Sequence, residues 1–260
     1  MTHITVCGLA ITPVKGTRLR AVESVQLDRL GARENRRFFL IDKDDHMVNA
    51  THLGALNTVI SSYSDRDRRL SLAFPDGRVV EDSVTLGDEI ITSFYKEPMP
   101  ARLVLGVWSK AISQHVGKQL RLVEAGEEGA VDRGPTGAVT LISTASLAQL
   151  ADQAGRPSVD PRRFRMLIEV DGVGTHEEDG WVGRTLRIGE VLLRAQGHVG
   201  RCVITSRHPE TGEIDLHTLK ILGGYRQHLD TTEPIAFGIY GEVVQPGEIR
   251  VGETVTLGDD

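Results

Sequence analysis

The sequence predicts a mainly β protein, and three observations favour this fold class. Short apolar and β-branched runs recur along the chain, and Gly, Pro or Asp ends most of them. Three segments have helical spacing of apolar residues, which is too few to supply the crossover helices of a doubly wound α/β sheet. The length of 260 residues allows one large β domain or two smaller ones.

The clearest strand signals lie in the first third of the chain. Residues 4–11 form an apolar run that Thr12-Pro13 ends, and residues 37–42 form a second run. Residues 70–74 alternate between apolar and polar side chains. The Pro75-Asp76-Gly77 segment after them predicts a hairpin turn, because Pro presets a negative φ and Gly accepts a positive one.

The strongest helix prediction covers residues 143–154. Ser143 is the expected N-cap, and Gly155 with Pro157 ends the segment. Apolar residues recur on one helix face at Leu147, Leu150, Ala151 and Ala154. Weaker patterns predict helices at residues 109–117 and 55–62.

An aliphatic-Gly-acidic pattern occurs at residues 86–88, 188–190 and 251–253. We interpret each occurrence as a tight turn that enters a strand, which is typical of a barrel or sandwich with many hairpins. The segment 95–105 holds Pro98 and Pro100 and lacks clear alternation. We therefore predict two domains, residues 1–100 and residues 101–260.

Composition excludes several classes of protein. Lys and Arg number 30 against 36 Asp and Glu, and the resulting charge of −6 argues against bulk nucleic-acid binding. Apolar runs are too short for a membrane span, and the N-terminal segment lacks the apolar core of a signal peptide. Two cysteines cannot hold an iron–sulfur cluster or a four-cysteine zinc site, and they favour a reducing, cytoplasmic location.

Cys202 is the candidate reactive group. It follows Gly200-Arg201, and a neighbouring guanidinium favours the thiolate, which binds soft metals and attacks electrophiles. The alternative is a buried structural cysteine, which is the expected role of Cys7 in the apolar first run.

Basic residues near glycine or near one another are candidates for an anion site. Lys15 precedes Gly16 at the end of the first run, and arginines cluster at residues 36–37 and 162–165. Each of these could instead be a solvated surface charge. The histidines show no metal-binding spacing, and the chain has neither a phosphate-binding P-loop nor a nucleophile elbow.

Taken together, these segments resemble the MOSC family, named for the C-terminal domain of molybdenum cofactor sulfurase, with its N-terminal β-barrel domain. Within the family the chain is similar to the mitochondrial amidoxime-reducing component and its bacterial counterparts. The matching segments include T-P-V-K-G at 12–16, R-R-F-F-L-I-D at 36–42, R-C-V-I-T at 201–205 and P-E-T-G at 209–212.

The resemblance implies an N-terminal β-barrel-like domain, a C-terminal MOSC β-barrel with a few short helices, and a bound molybdenum cofactor (molybdopterin). Cys202 matches the cysteine that ligates the metal and is the implied catalytic residue. The residues implied to bind the cofactor are Lys15, Gly16, Arg37, Thr136, Gly137, Arg165 and Arg201. A pyridoxal-phosphate domain does not fit in this chain.

Positions 16, 51, 135, 166 and 167 depart from the family pattern. Gly16 stands where relatives have Ser, and Leu167 stands where they have Asn. Pro135 stands at the place of an Asp, unless Asp132 takes that role. We therefore expect a partly remodelled pterin pocket.

The implied function is reduction of N-hydroxylated or similar X–O small molecules, with electrons from a separate ferredoxin or flavin reductase. We expect neither a nucleic-acid nor a membrane partner. The alternative is a non-redox module that carries the molybdenum cofactor or sulfur.

Overall fold

The computed structural model describes residues 3–126, 132 and 134–258. The first eleven strands are β1 (Ile4–Ile11), β2 (Arg20–Ala21), β3 (Ser24–Asp28), β4 (Gly31–Ala32), β5 (Phe38–Ile41), β6 (Met47–Val48), β7 (Ile60–Ser64), β8 (Arg69–Ala73), β9 (Val79–Ser83), β10 (Thr85–Phe94) and β11 (Glu97–Leu105).

The remaining strands are β12 (Arg121–Ala125), β13 (Val139–Ser143), β14 (Ile168–Asp171), β15 (Thr185–Ile188), β16 (Val191–Gly200), β17 (Ala236–Gln245), β18 (Gly247–Arg250) and β19 (Thr254–Gly258). The α-helices are α1 (Trp108–Val116), α2 (Thr144–Gln153) and α3 (Thr218–Arg226). Among the described residues, no helix has the length and apolar character needed to cross a membrane.

Seven strands close into a barrel. Their order is β14-β13-β17-β16-β15-β19-β1, and β1 pairs again with β14 to complete the ring. The β13–β14 pair is parallel and the other pairs are antiparallel. Side chains such as Leu9, Ile168, Trp181 and Val255 fill its interior. The mainly β fold with a C-terminal barrel is confirmed.

The N-terminal strands form smaller sheets. One has the order β10-β11-β12-β5-β6, a second is β7-β8-β9, and a third joins β18 to β3 and β4. The first two share a core with α1, in which Phe38, Leu70, Leu72, Trp108 and Ile112 are fully buried. This core supports the loops that reach the barrel.

Each half of the chain contributes strands to sheets of the other half. β1 belongs to the barrel, although it comes first in the sequence, and β12 pairs with β5 and β11 in the N-terminal sheet. Residue 100 lies inside β11. The division into residues 1–100 and 101–260 stays a prediction, and each of these segments gives a strand to a sheet formed mainly by the other.

Several local predictions are confirmed. Strand β1 has the predicted bounds, and β8 turns into β9 around Gly77, whose φ is +83°. Helix α2 begins after Ser143, whose Oγ accepts the Ser146 N–H at 3.1 Å. Helix α1 covers the weaker prediction at residues 109–117.

Other local predictions were wrong. Residues 55–62 form a short 3-10 helix (Gly54–Thr58) and then β7, because β-branched Val59 and Ile60 lead into pairing with β8. The motif at residues 86–88 is a bulge inside β10 rather than a turn, whereas those near residues 189 and 252 are turns.

Helix α3 was missed because Gly223 and Gly224 weaken its helical signal. Tertiary contacts stabilise it instead. Leu222 is fully buried, and the Thr218 hydroxyl donates to the Thr205 carbonyl oxygen at 2.8 Å.

Cys7 is exposed rather than buried. The pairing of β1 with β14 shifts register between Val6 and Gly8, so Cys7 lies at an irregular position on the strand's outer side while Val6 is buried. Partial desolvation, followed by the charges of Glu169 and Asp171, raises the pKa of the Cys7 thiol to about 11. At neutral pH it is therefore a protonated, unreactive thiol.

The two halves meet closely at a pair of glycines. Gly212, with φ +75°, packs directly on the backbone of Gly54. Arg207 spans the contact and donates to the carbonyl oxygens of Gly212 at 2.7 Å and Thr51 at 3.2 Å. Two further hydrogen bonds join the same segments, from Asn57 Nδ2 to the His208 oxygen and from Arg18 Nη2 to the Glu210 oxygen.

We predict that Gly212→Ala destabilises the protein more than Gly117→Ala does. Both glycines have positive φ, +75° and +67°, so both changes cost about 1–2 kcal/mol of backbone strain. A Cβ at Gly212 overlaps the Gly54 carbonyl, whereas one at Gly117 meets open space. The additional cost is about 1–3 kcal/mol, to be measured as the difference in free energy of unfolding. An equal loss of unfolding free energy in the two variants would contradict the tight contact between Gly212 and Gly54.

Candidate functional site

A cavity of about 370 Å³ lies where loops of the barrel meet loops of the N-terminal sheets. Its volume is in the range of small-molecule sites. Lys15 and Gly16 enter it from the loop after β1, Arg36 from the segment before β5, Arg165 from the segment before β14, and Cys202 from the end of β16.

Most of the predicted site residues share this cavity. Those that line it are Lys15, Gly16, Gly137, Arg165, Arg201 and Cys202. Thr136 does not line it and is exposed beside Gly137.

Arg37 points away from this cavity. Its Nε donates to Glu124 Oε1 at 2.6 Å, and its Nη1 lies 3.5 Å from Asp65. It lines a second cavity of about 430 Å³ instead. Arg36, one residue earlier, lines both cavities and is the arginine of the pair that enters the first one; its φ of +53° turns the chain just before β5.

A buried hydroxyl cluster fixes the loop that carries Lys15. The Oγ1 atoms of Thr12 and Thr17 lie 2.7 Å apart, and Thr17 Oγ1 lies 2.8 Å from Ser61 Oγ. All three residues are fully buried. The Lys15 N–H donates to the Phe38 carbonyl oxygen at 2.8 Å, so the loop is also tied to β5.

Gly16 departs from the family's Ser, and its backbone gives a reason. Its φ is +98°, a conformation that favours glycine. A Cβ there would also approach the Ala50 nitrogen to 3.1 Å. The loop therefore presents its backbone, with little side chain, to the cavity.

Three basic side chains surround one carboxylate in the cavity wall. Lys15 and Arg36 both form ion pairs with Asp132, and Arg36 Nη2 donates to the Arg165 carbonyl oxygen at 2.7 Å. Lys15 is only 8% exposed. Lys15, Arg36 and Arg165 with Asp132 alone leave an excess of two positive charges.

The pKa values of these groups reflect burial first and neighbouring charges second. Burial lowers the pKa of Lys15 even with Asp132 beside it. Burial, followed by repulsion from Arg36, lowers the pKa of Arg165 to about 9. Burial alone would raise the pKa of Asp132, but Lys15 and Arg36 hold it well below its usual range. The site is thus poised for an added anion.

Cys202 presents an exposed thiol to this charged wall. It precedes the 3-10 helix Val203–Ser206, and the Thr205 N–H and hydroxyl donate to the Cys202 carbonyl oxygen at 3.2 and 3.0 Å. Arg165 and Tyr95 lie close enough to the Cys202 side chain to interact with it electrostatically. The sulfur therefore lies in the electrostatic neighbourhood of Arg165.

Arg201 lines the cavity beside Cys202 and also contacts the backbone of two neighbouring segments. Its guanidinium donates to the carbonyl oxygens of Phe164, at 2.9 Å, and Phe237, at 2.8 Å through Nε, and it stacks over the Phe164 ring at 5.3 Å. These contacts tie the end of β16 to the segments around it. Arg165, on the neighbouring wall of the cavity, also interacts electrostatically with Cys202.

Two other departures from the family pattern also have structural explanations. Leu167 lines the cavity and also packs in the barrel core, at 2% exposure. Pro135 begins a 3-10 helix outside the lining, whereas Asp132 lies in it. Asp132 is thus the acidic residue of this segment that lines the cavity.

Sequence reasoning missed Tyr95 and its partner Asn49, which both line the cavity. Tyr95 lines the cavity from the β10–β11 turn, and its hydroxyl accepts a hydrogen bond from Asn49 Nδ2 at 3.4 Å. The segment around Tyr95 looked like a domain boundary because of Pro98 and Pro100. A two-residue gap between strand-like runs was the available sign of a hairpin.

The family model of the MOSC domain matches residues 128–256, which carry Cys202 and Arg165. The chain belongs to the MOSC domain family. This MOSC protein is 29% identical to mitochondrial amidoxime reducing component 2 of Bos taurus, over 96% of this chain and 82% of the relative. It is 23% identical to mitochondrial amidoxime-reducing component 1 of Xenopus laevis, over 96% of this chain and 81% of the relative.

Among solved structures, the MOSC protein is similar to the YuaD protein from Bacillus subtilis, with a TM-score of 0.49 and 11% identity. That match covers 98% of this chain and 94% of the other.

We predict that Asp132→Asn lowers stability but increases the response to an anion. The change leaves Lys15 and Arg36 buried without their carboxylate, which costs about 3–5 kcal/mol. Pyrophosphate supplies replacement charge, so it should raise the Tm of the variant more than that of the parent protein. The measurement is thermal unfolding with and without pyrophosphate.

Asp65→Asn is the matched control. Asp65 is a partly exposed partner of Arg37 outside the cavity, so its loss should cost at most about 1 kcal/mol and leave the pyrophosphate response unchanged. An Asp132→Asn variant that responds like the control would show that the cavity does not select anions.

Proposed function

We propose that this chain is a molybdenum-cofactor-binding oxidoreductase that reduces N-hydroxylated or similar X–O compounds. The observation that carries the proposal is the meeting, in one cavity, of an exposed cysteine thiol with an excess of buried positive charge. The names of the relatives, amidoxime-reducing components, support reduction of N–O compounds.

The residues of the cavity fit the cofactor. A pterin phosphate is a dianion, and the cavity offers an excess of two positive charges from Lys15, Arg36 and Arg165. The Nε of Arg36 is buried and has no hydrogen-bond partner among the described residues. A thiolate is a preferred ligand of thiophilic metals, and Cys202 is the cysteine that reaches this cavity.

Each group has a definite task in the proposal. Lys15, Arg36 and Arg165 bind the phosphate, and Asp132 orients the first two of them. Cys202 ligates the metal, and the hydrogen bonds from Thr205 hold its backbone in place. When bound, the cofactor supplies a metal centre that changes oxidation state as oxygen leaves the substrate.

Apolar side chains close the remaining wall. Met166 and Leu167 line the cavity and are almost completely buried. They exclude water from one side of the cavity, which strengthens the interactions of the charged groups opposite.

The proposed reaction also needs an electron donor and a substrate. Electrons come from a separate protein, a ferredoxin or flavin reductase, as the family resemblance implies. A small molecule is the substrate, and a net charge of −6 argues against a nucleic-acid partner. The cytoplasmic location and the absence of a membrane partner stay predictions.

The second candidate is a non-redox module that carries the cofactor or sulfur. The exposure of the Cys202 thiol favours it, because a relay sulfur must be accessible to its donor and acceptor. The same residues would bind the cofactor in both cases. Bound cofactor without turnover would support the carrier and overturn the reductase.

We predict that Cys202→Ser abolishes reduction of an amidoxime, whereas Cys7→Ser keeps it. Both thiols are exposed, but only Cys202 of the two lines the cavity. The assay uses purified, molybdenum-replete protein with an artificial electron donor. Equal rates for Cys202→Ser and the parent protein would rule out the assigned ligand.

We predict that Arg36→Ala, Lys15→Ala and Arg165→Ala each lower cofactor occupancy. Each change removes a charge-assisted donor worth about 1.5–3 kcal/mol, or a weakening of about 10- to 150-fold. The measurement is molybdenum and pterin content of the purified variants.

Arg37→Ala is the matched control for Arg36→Ala, since it removes the adjacent guanidinium from the other cavity. The family resemblance implied a role for Arg37, whereas the geometry favours Arg36. Loss of cofactor in Arg37→Ala but not in Arg36→Ala would reverse this assignment.

A further inference from the structure

The β10–β11 hairpin ends in a turn that its sequence does not favour. Phe94 pairs with Glu97, so Tyr95 and Lys96 are the two central residues. Their φ values are +50° and +75°. A two-residue turn with positive φ at both positions normally carries Asn-Gly or a similar pair, because other side chains are strained there.

Neighbouring groups hold the Tyr95 ring in one place. The Phe94 ring meets it edge-on at 5.0 Å between centroids, and Lys15 Nζ lies 5.6 Å from its centroid. The hydroxyl accepts from Asn49 Nδ2, and Asn49 is only 5% exposed. Phe94 is itself buried against Phe39 at 5.4 Å, which anchors the hairpin end in the core.

Tyr95 is nevertheless 59% exposed. Its hydroxyl end therefore reaches buried groups of the cavity wall while much of the ring remains open at the cavity rim. Strained backbone kept at a cavity rim indicates a functional constraint on the residue that it presents.

We infer that Tyr95 is a specificity-determining residue, whose exposed ring stacks on a planar aromatic group of the substrate. This inference rests on the proposed function. The positive φ at Tyr95 holds a ring where a favoured Asn would remove it. A pair of aromatic rings gains more free energy than the burial of its apolar area alone provides. A planar aromatic group of the substrate therefore binds better than a saturated group of the same size.

Three variants separate the ring from the strain. Lys96→Gly relieves strain and keeps the ring, Tyr95→Asn relieves strain and removes the ring, and Tyr95→Phe keeps both ring and strain. The probes are benzamidoxime and its saturated analogue, cyclohexanecarboxamidoxime. Calorimetric titration of the cofactor-loaded protein measures binding of each probe without requiring turnover.

We expect the parent protein to bind benzamidoxime about 2- to 12-fold more tightly than the saturated analogue. Tyr95→Phe and Lys96→Gly should keep this ratio, and Tyr95→Asn should bring it to about one. Lys96→Gly should also raise the Tm by about 2–4 °C. If Tyr95 had only a structural role, we would not expect Lys96→Gly to gain stability with an unchanged affinity ratio while Tyr95→Asn loses that ratio.

A parent ratio near one, or a Tyr95→Asn variant that keeps the parent ratio, would overturn the inference. A lower Tm for Lys96→Gly than for the parent protein would contradict the claim that the backbone is strained at this turn. These results would leave the proposed function standing if the parent protein turns over either probe. If the parent protein binds both probes but turns over neither, the proposed reductase activity is overturned. The ratio of the two affinities would still decide whether Tyr95 takes part in binding.

Discussion

The burial of three cations around a single carboxylate is the constraint on which the site depends. Lys15 and Arg36 share Asp132, and Arg165 adds a third charge. Like charges in a poorly solvated place destabilise a fold unless a partner offsets them. The surrounding hydrogen bonds hold these side chains together, and an anionic ligand would relieve their repulsion. Charge and cavity shape thus point to the same class of ligand.

These cations come from distant parts of the chain, so the site requires correct docking of loops. The buried hydroxyls of Thr12, Thr17 and Ser61 fix the loop of Lys15 within the N-terminal half. The close contact of Gly54 with Gly212 fixes the segment after Cys202 against that half. A small movement at either place would change the distance between the thiol and the positive charges. Packing far from the chemistry therefore controls the geometry of the cavity.

The sequence was sufficient for the fold class, the family and six of the residues that line the cavity, because these depend on local patterns and recognisable motifs. It could not predict that Arg36 rather than Arg37 enters the first cavity, since this depends on the direction in which each side chain points before β5. It also missed Tyr95, because a strained turn contradicts the local propensities from which turns are predicted. Helix α3 was missed for a related reason, since tertiary packing outweighs its two glycines.

The barrel takes its first strand from the beginning of the chain and its last from the end. Ile4 pairs with Val255, and Leu9 pairs with Ile168. During synthesis, β1 leaves the ribosome long before these barrel partners exist, and only the two-residue strand β2 follows soon enough to pair with it, at Ala10 and Ile11. Contacts of such long sequence separation slow folding. Ring closure is thus a late event, and the nascent chain has a long interval in which a chaperone could protect its first strand.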